Sequence, residues 1–111
     1  MAYRKLRAEE IALIETLLSF GKREELGAGL KDAQVREIPG GEIGSLVFAS
    51  SGTGARKFGD VLATAEAPDS DGTTITFALN LDGAGALYEL DIWKDDLSRI
   101  ISLPDVSRLR K

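Results

Sequence analysis

The sequence contains no cysteine and no histidine among its 111 residues. Without cysteine the chain forms neither disulfides nor thiolate metal sites. Without histidine it lacks imidazole metal ligands and the base that most often activates a serine or cysteine nucleophile. These absences exclude several large classes of metalloprotein and hydrolase, and we expect the domain to need no cofactor.

Long apolar runs are also missing. No segment approaches the roughly 20 apolar residues that a helix needs to cross a bilayer. The basic start at residues 3–7 runs directly into Glu9 and Glu10, without the apolar core of a signal peptide. We therefore expect a cytoplasmic protein that does not contact the membrane.

Linker-like composition is equally scarce, since the chain has only three prolines and no repeat or low-complexity tract. Its length is in the usual range for one domain and too short for two ordinary ones. We interpret residues 1–111 as a single domain.

Acidic residues are abundant, and they are distributed unevenly. The formal net charge is -4, and residues 60–96 contain nine acids but only one base, Lys94. An acidic surface repels phosphate backbones, which disfavours nucleic acid as a ligand and leaves a basic partner conceivable. Acids in turns and on a solvated sheet face would give the same pattern.

Helical periodicity is confined to the first third of the chain. Apolar residues recur at helical spacing over residues 8–20, Glu9 and Glu10 suit the positive end of the helix dipole, and Gly21 ends the pattern. A weaker helical pattern covers residues 22–30 but contains two glycines. The sequence predicts one amphipathic helix and one marginal helical segment.

From residue 33 the period changes to that of strands. Alternating segments bounded by turn residues predict five strands, at residues 33–38, 44–50, 60–67, 73–81 and 86–94. The fold class predicted is α+β, an antiparallel meander of about five strands with the N-terminal helix packed on one face.

The turns predict how the last three strands align. A loop at residues 82–85 places Phe77 opposite Leu90, and a loop at residues 68–72 places Ala63 opposite Phe77, so small and large apolar residues share one face. The other face is mostly polar and would carry Leu62, Thr64, Glu66, Thr74, Thr76, Ala78, Asn80, Leu87, Glu89, Asp91 and Trp93.

The strand at residues 86–94 provides the first candidate site. Alternation places Glu89, Asp91 and Trp93 together on the polar face, with Leu87 beside them. An exposed tryptophan flanked by apolar and acidic side chains is typical of an interface anchor. Two neighbouring carboxylates could instead act as a general acid and base, but the segment supplies no nucleophile.

A glycine-rich loop provides the second candidate site. Gly52 and Gly54 are followed by Arg56 and Lys57, and backbone amides of such a loop can hold an anion between two cations. The spacing does not match a nucleotide-binding P-loop, and a strand rather than a helix follows. A simple connector between strands explains the same composition.

The turn at residues 69–72 resembles the start of a calcium-binding loop. The resemblance ends there, because the glycine comes too early and Asn80 stands where a bidentate glutamate belongs. We expect a hairpin turn in which Asp69 and Asp71 accept hydrogen bonds from nearby backbone amides, and no metal site.

The C-terminal region is less informative. Residues 95–101 fit a short helix or a returning strand equally well, and Pro104 ends whatever precedes it. Residues 107–111 are short and basic, and we expect them to be frayed and solvated.

Several short motifs together resemble a family of small bacterial domains of unknown function. They are YRKL at residues 3–6, GSL at 44–46, RKFG at 56–59, DSDG at 69–72, NLD at 80–82 and LYELDIWK at 87–94. The resemblance spans nearly the whole chain and implies a bacterial source, but no activity. In general composition the chain is also similar to small immunity proteins that neutralise secreted bacterial toxins, and this likeness supplies no binding residue.

Three functions follow as hypotheses. The first is a non-catalytic protein-binding module that uses the polar sheet face, either toward another protein, as in immunity proteins, or toward a second copy of itself. The second is a small-molecule or anion binder that uses the loop at residues 52–59. The third, an enzyme with paired carboxylates, is the least favoured.

Overall fold

The computed structural model describes residues 3–38, 44–49 and 56–111. The predicted α+β class is confirmed, with one antiparallel six-stranded sheet and an N-terminal helix. The elements are strand β1 (Arg4–Lys5), helix α1 (Ala8–Phe20), a 3₁₀ helix (Glu24–Asp32), strands β2 (Gln34–Glu37), β3 (Leu46–Phe48), β4 (Phe58–Pro68), β5 (Thr74–Asp82) and β6 (Leu87–Lys94), and a second 3₁₀ helix (Val106–Arg108).

Helix α1 has the bounds that the sequence predicts. Its first turn is fixed by Glu10, whose Oε1 accepts the backbone N–H of Arg7 at 2.8 Å. Arg4 of β1 donates to both carboxylate oxygens of Glu10, at 2.8 and 2.9 Å, and also to Glu37 of β2. This arginine therefore connects β1, α1 and β2.

The sheet order is β1-β2-β3-β6-β5-β4. Strands β4, β5 and β6 form the predicted meander, and β2 and β3 form the predicted hairpin. The hairpin pairs with β6 rather than with the next strand in sequence, so β4 lies at the sheet edge. Strand β1 was not predicted, because two residues are too few to show a period.

The alignment of β4, β5 and β6 differs from the prediction by two residues. Phe77 lies opposite Ile92 and Ala65, instead of opposite Leu90 and Ala63. Strand β4 continues to Pro68, so the turn starts at Asp69. A slip of two residues keeps side chains on their face wherever the strands are regular, because the side-chain period of a strand is two.

The core lies between α1 and the inner face of the sheet. Its completely buried side chains are Ile14, Leu17, Val35, Leu46, Ile75, Leu79 and Leu90. Burying one such side chain contributes about 1.5–3 kcal/mol to folding. The core therefore combines the helical stripe with the apolar strand positions that the sequence identified.

Leu62 departs from the prediction that it lies on the polar face. It is half-buried and packs against the core, and its Cδ2 lies beside Gly21 at the end of α1. The register of β4 shifts between Val61 and Ala63, and an irregularity of this kind changes which residues point inward.

The C-terminal tail is not frayed, contrary to the prediction. The backbone N–H of Glu66 donates to the carbonyl of Arg110 at 2.6 Å, and the N–H of Arg110 donates back at 2.8 Å. Leu109 is buried in the core cluster. The edge strand β4 offers unpaired backbone groups, and the tail satisfies two of them. Residues 95–101, for which helix and strand both stood open, form neither.

Gly59 is required by a close approach of two backbone segments. A Cβ atom at this position would lie 2.3 Å from the carbonyl oxygen of Asp82 and 2.8 Å from the backbone nitrogen of Gly83. We expect Gly59→Ala to lower the free energy of unfolding by about 1–3 kcal/mol, because neither backbone can move aside cheaply. Urea denaturation measures the change. The matched control is Gly83→Ala, whose Cβ would meet no atom within 4 Å, and an equal effect of both substitutions would contradict the steric explanation.

Candidate functional site

The face of the sheet that points away from α1 carries the first candidate site. We define the outer face by Glu66, Thr76, Asn80, Glu89, Asp91 and Trp93. Direct pairing places Thr76 between Glu66 and Trp93 on neighbouring strands, and Asn80 opposite Glu89. The structure thus confirms that Glu89, Asp91 and Trp93 share one face.

Trp93 is the large aromatic residue of the outer face. Its side chain is 38% exposed, although the strand on which it lies occupies the interior of the sheet. The opposing Thr76 donates its hydroxyl hydrogen to Asp95 Oδ1 at 2.5 Å. The indole therefore offers an open apolar surface next to carboxylates.

Asn80, Glu89 and Asp91 form a polar cluster in the middle of the outer face. The side-chain amide of Asn80 donates to Asp91 Oδ2 at 2.9 Å, and Asn80 is only 4% exposed. Its Oδ1 atom is buried and accepts no hydrogen bond within the described part of the chain. Burial and the nearby charge of Asp91 raise the pKa of Glu89, and hydrogen bonding from Asn80 offsets part of this increase.

Lys94, the single base of residues 60–96, does not reach the outer face. Its side chain is 1% exposed, and its Nζ lies 3.0 Å from Asp69 Oδ2 and 2.6 Å from Asp71 Oδ2. Asp71 and Asp69 together raise the pKa of Lys94 against the effect of burial. Residues 60–96 consequently expose acids and no base.

The turn that holds Lys94 is the predicted hairpin turn. Asp69 Oδ1 accepts the N–H of Ser70 at 2.7 Å, and Asp71 Oδ1 accepts the N–H of Thr73 at 3.0 Å. Asp69 Oδ2 also accepts the N–H of Ile101 at 2.7 Å, which attaches the C-terminal segment. Burial opposes the ionisation of Asp69, but the backbone amides of Ile101 and Ser70 and the ammonium of Lys94 hold the pKa of Asp69 far below its usual value.

Leu87 does not join the outer face. It pairs with Leu81, is half-buried and packs against the core. The register of β5 and β6 shifts between Asn80 and Leu81, so strict alternation fails at this end of β6. Of the four residues predicted for this surface, the structure brings together Glu89, Asp91 and Trp93.

The structure describes only part of the second predicted site, the glycine-rich loop with Arg56 and Lys57. Gly52 and Gly54 lie outside the described residues. Arg56 is largely buried, with 15% of its side chain exposed, whereas Lys57 is exposed.

The guanidinium of Arg56 is engaged within the protein. Its Nε donates to Asp82 Oδ2 at 3.0 Å, and its two terminal nitrogens donate to the carbonyl oxygens of Phe48 and Leu87 at 2.5 and 2.6 Å. The group also lies 5.0 Å from the ring centroid of Tyr88. The backbone amide of Ala86 and the guanidinium of Arg56 donate to Asp82 and hold the pKa of its carboxyl below the usual value. Arg56 thus links β3, β5 and β6 instead of facing an anion.

A cavity of about 430 Å³ lies on the other side of the sheet, between α1 and the C-terminal segment. Its wall is mainly apolar and includes Leu13, Phe77 and Val106. Its size is within the range of small-ligand sites. Of the three carboxylates that line it, Glu10 already binds Arg4 and Asp105 accepts the N–H of Ser107, which leaves Glu9 to orient a ligand.

Among the residues that the structure describes, no group of three or more acidic residues is arranged to hold a metal ion. None of the helices in the part of the chain that the structure describes is long and apolar enough to cross a membrane.

The roles of Asn80 and Lys94 were not predicted from the sequence. Lys94 is two residues after Ile92 and four after Leu90, so the alternation of a strand places this charged side chain on the same face as two core residues. Such a residue requires buried counter-charges, and the two aspartates of the preceding turn were the available ones. For Asn80 the sequence contained no comparable signal, because an asparagine on a polar strand face is ordinary.

The chain belongs to the family described as a domain of unknown function (DUF6984), which matches it over residues 3–104. The predicted membership of an uncharacterised domain family is thereby confirmed. A comparison with curated proteins found no match, and a comparison with solved structures found none either. The bacterial source that the resemblance implied stays a prediction.

Proposed function

We propose that the domain is a non-catalytic protein-binding module whose outer face docks a basic segment of another protein. The observation that supports this function best is the exposed Trp93 on a sheet face that carries carboxylates, within a stretch of 37 residues, 60–96, whose one base is buried.

Trp93 supplies the apolar part of such an interface. Tryptophan is among the residues most enriched at the energetic centres of protein interfaces, because one rigid side chain buries a large area. A side chain that is 38% exposed in the free domain still has surface to bury against a partner.

The charge of the outer face specifies the partner's chemistry. Glu66, Glu89 and Asp91 lie on this face, and Asp95 follows next along the chain. Lys94 cannot compensate them, because Asp69 and Asp71 already neutralise it. Positive residues on a partner would therefore accelerate encounter and reduce the repulsion between these carboxylates.

The same charges disfavour docking of this face onto its copy in a second chain. A two-fold symmetric contact brings each residue close to its counterpart or its neighbours. Arg110 lies beside Glu66 at one edge of this face, and Arg36 lies across Val47 from Glu89, but the centre formed by Glu89 and Asp91 is acidic. A contact centred there opposes like charges, at a cost of several kcal/mol. We therefore favour a different, basic protein over self-association.

Catalysis and anion binding have less support. Asp91 is tied to Asn80, and the chain contains no histidine or cysteine to complete a nucleophilic site. Arg56 directs three nitrogens to acceptors of the protein itself. Asp91 and Arg56, the side chains on which these two alternatives depend, are thus already engaged within the protein.

Selection from a displayed library of random linear peptides tests the proposal without knowledge of the natural partner. The immobilised domain is the bait, and selected peptides are synthesised and measured by calorimetry. We expect enrichment of arginine and lysine. We also expect Trp93→Ala to weaken binding roughly 30-fold, which corresponds to about 2 kcal/mol, because a central tryptophan is lost.

Ile101→Ala is the matched control, since it removes an exposed apolar side chain outside the outer face. It should leave peptide affinity unchanged, and thermal denaturation should show that Trp93→Ala remains folded. Peptides without basic residues, or peptides that bind Trp93→Ala as well as the native domain, would refute the proposal. Light scattering provides the remaining comparison, and a native dimer that Trp93→Ala converts to a folded monomer would replace the basic partner with a second copy.

A further inference from the structure

We propose that Asn80, Glu89 and Asp91 form a subsite for the guanidinium group of an arginine from the partner. This inference deepens the proposed function and rests on it, because it identifies the group that the centre of the outer face would bind.

The unpaired oxygen of Asn80 is the first observation. The residue is 4% exposed, and its amide nitrogen is used by Asp91 at 2.9 Å. Its Oδ1 atom is buried and accepts no hydrogen bond from the residues that the structure describes. A buried acceptor without a donor is costly and uncommon in native proteins. This oxygen is covered in the free domain, and a ligand donor that enters between the side chains of the cluster would satisfy it.

The charge beside Asn80 is the second observation. Glu89 lies directly opposite Asn80, and Asp91 follows two residues later on the same face of β6. Burial and the charge of Asp91 both disfavour the ionised form of Glu89. A cation placed between the two carboxylates would reverse this effect. The ligand therefore carries hydrogen-bond donors and a positive charge together.

Among such ligands, a guanidinium fits better than an ammonium. It presents five N–H donors in one plane, enough to reach a neutral oxygen and two carboxylates at once. Its flat face also stacks on aromatic rings, and Trp93 is the next residue of β6 on the same face. An ammonium is a compact and strongly hydrated charge that gains less from this arrangement.

A metal ion fits less well than either. The cluster contains two carboxylates, and no group of three acidic residues arranged for a metal occurs among the residues that the structure describes. Calcium usually takes six to eight oxygen ligands, more than two carboxylates and one amide supply.

NMR titration of the full chain with N-acetyl-arginine amide tests the subsite directly. The signals to follow are the side-chain amide of Asn80 and the carboxyl carbon of Glu89. We expect saturable shifts of both, with a dissociation constant on the order of millimolar for so small a probe. N-acetyl-lysine amide should bind several-fold more weakly, because it cannot bridge the three acceptors.

Two variants that each remove one carboxylate charge distinguish binding at a specific subsite from general electrostatic attraction between arginine and an acidic surface. Glu89→Gln should weaken arginine binding at least about ten-fold, the loss expected when a charge-assisted pair is removed. Glu66→Gln removes a carboxylate of the same sheet face that lies beside Arg110 and away from Asn80, and it should change binding little. Asn80→Ala keeps both carboxylates and should also weaken binding, which tests the neutral acceptor separately.

The inference is wrong if arginine produces no saturable shift at Asn80, if lysine binds equally well, or if Glu66→Gln and Glu89→Gln have equal effects. Its failure is distinguishable from failure of the proposed function. Basic peptides that depend on Trp93 but tolerate Glu89→Gln would keep the binding module and remove only the arginine subsite. Selected peptides that ignore Trp93 would remove the module itself.

Discussion

Replacement of Lys94 by methionine will lower the melting temperature by on the order of 10 °C, because breaking a buried ion pair strongly destabilises a small domain. The Lys94 side chain is 1% exposed and that of Asp69 is completely buried. Methionine fills a similar volume without charge, so the main effect is to leave the Asp69 carboxylate buried without its cation. Differential scanning calorimetry measures the change.

Lowering the pH identifies the cause of this loss. Below about pH 4, the usual range for an aspartate, acid neutralises the unpaired Asp69 carboxyl of Lys94→Met, so the difference in melting temperature from the native domain should shrink. Asp96→Asn is the matched control, because Asp96 is exposed and accepts hydrogen bonds from Ser98. A difference that stays constant as the pH falls would contradict the electrostatic explanation.

The pH dependence of stability follows from the same cluster. The pKa values of Asp69 and Asp71 are lower in the folded protein than their usual value of 3.8. The unfolded chain therefore binds more protons below about pH 4, and stability falls as the pH drops through this window. The pKa of Lys94 is raised above 10.5, so its contribution is complete below that pH and is lost as the pH rises through the raised value. In Lys94→Met we expect the free energy of unfolding to fall less between neutral pH and acid pH than it does in the native domain, because Asp69 has lost its cation.

Arg56→Ala will also destabilise the domain strongly, by about 3 kcal/mol. The substitution leaves the carbonyl oxygens of Phe48 and Leu87 and the carboxylate of Asp82 without their shared donor. Urea denaturation gives the free energy of unfolding. The neighbouring Lys57 is exposed, and Lys57→Ala should change that energy by no more than about 0.5 kcal/mol.

The pair of arginine and lysine variants also decides between the two interpretations of the glycine-rich loop. If Arg56 links the strands, it is required for stability, and inorganic phosphate will not raise the melting temperature of the native domain. If Arg56→Ala were as stable as Lys57→Ala and phosphate stabilised the native domain, Arg56 would instead be a free ligand for anions.

The register of the meander shows how far sequence reasoning extends. Alternation assigned Phe77 and Leu90 to the core and Thr76 and Trp93 to the opposite face, and both assignments hold. The exact partners were shifted by two residues. Between β4 and β5 a turn of the predicted length starts one residue later, and between β5 and β6 the turn is one residue longer and a register shift follows at Asn80 and Leu81. Where the register becomes irregular, at Leu62 and Leu87, the assignment of the face was wrong.

Local patterns in the sequence determined helix α1, five of the six strands, the hairpin turn at Asp69 and the grouping of Glu89, Asp91 and Trp93. These features depend on residues within a few positions of one another, where the helix and strand periods act. The tertiary structure alone decided that β6 lies beside β3, that Lys94 is neutralised in the interior, that Arg56 serves as an internal link and that Asn80 keeps an unpaired oxygen. Each of these depends on groups brought together from distant parts of the chain, and burial and charge at such places are properties of the packed molecule rather than of any one segment.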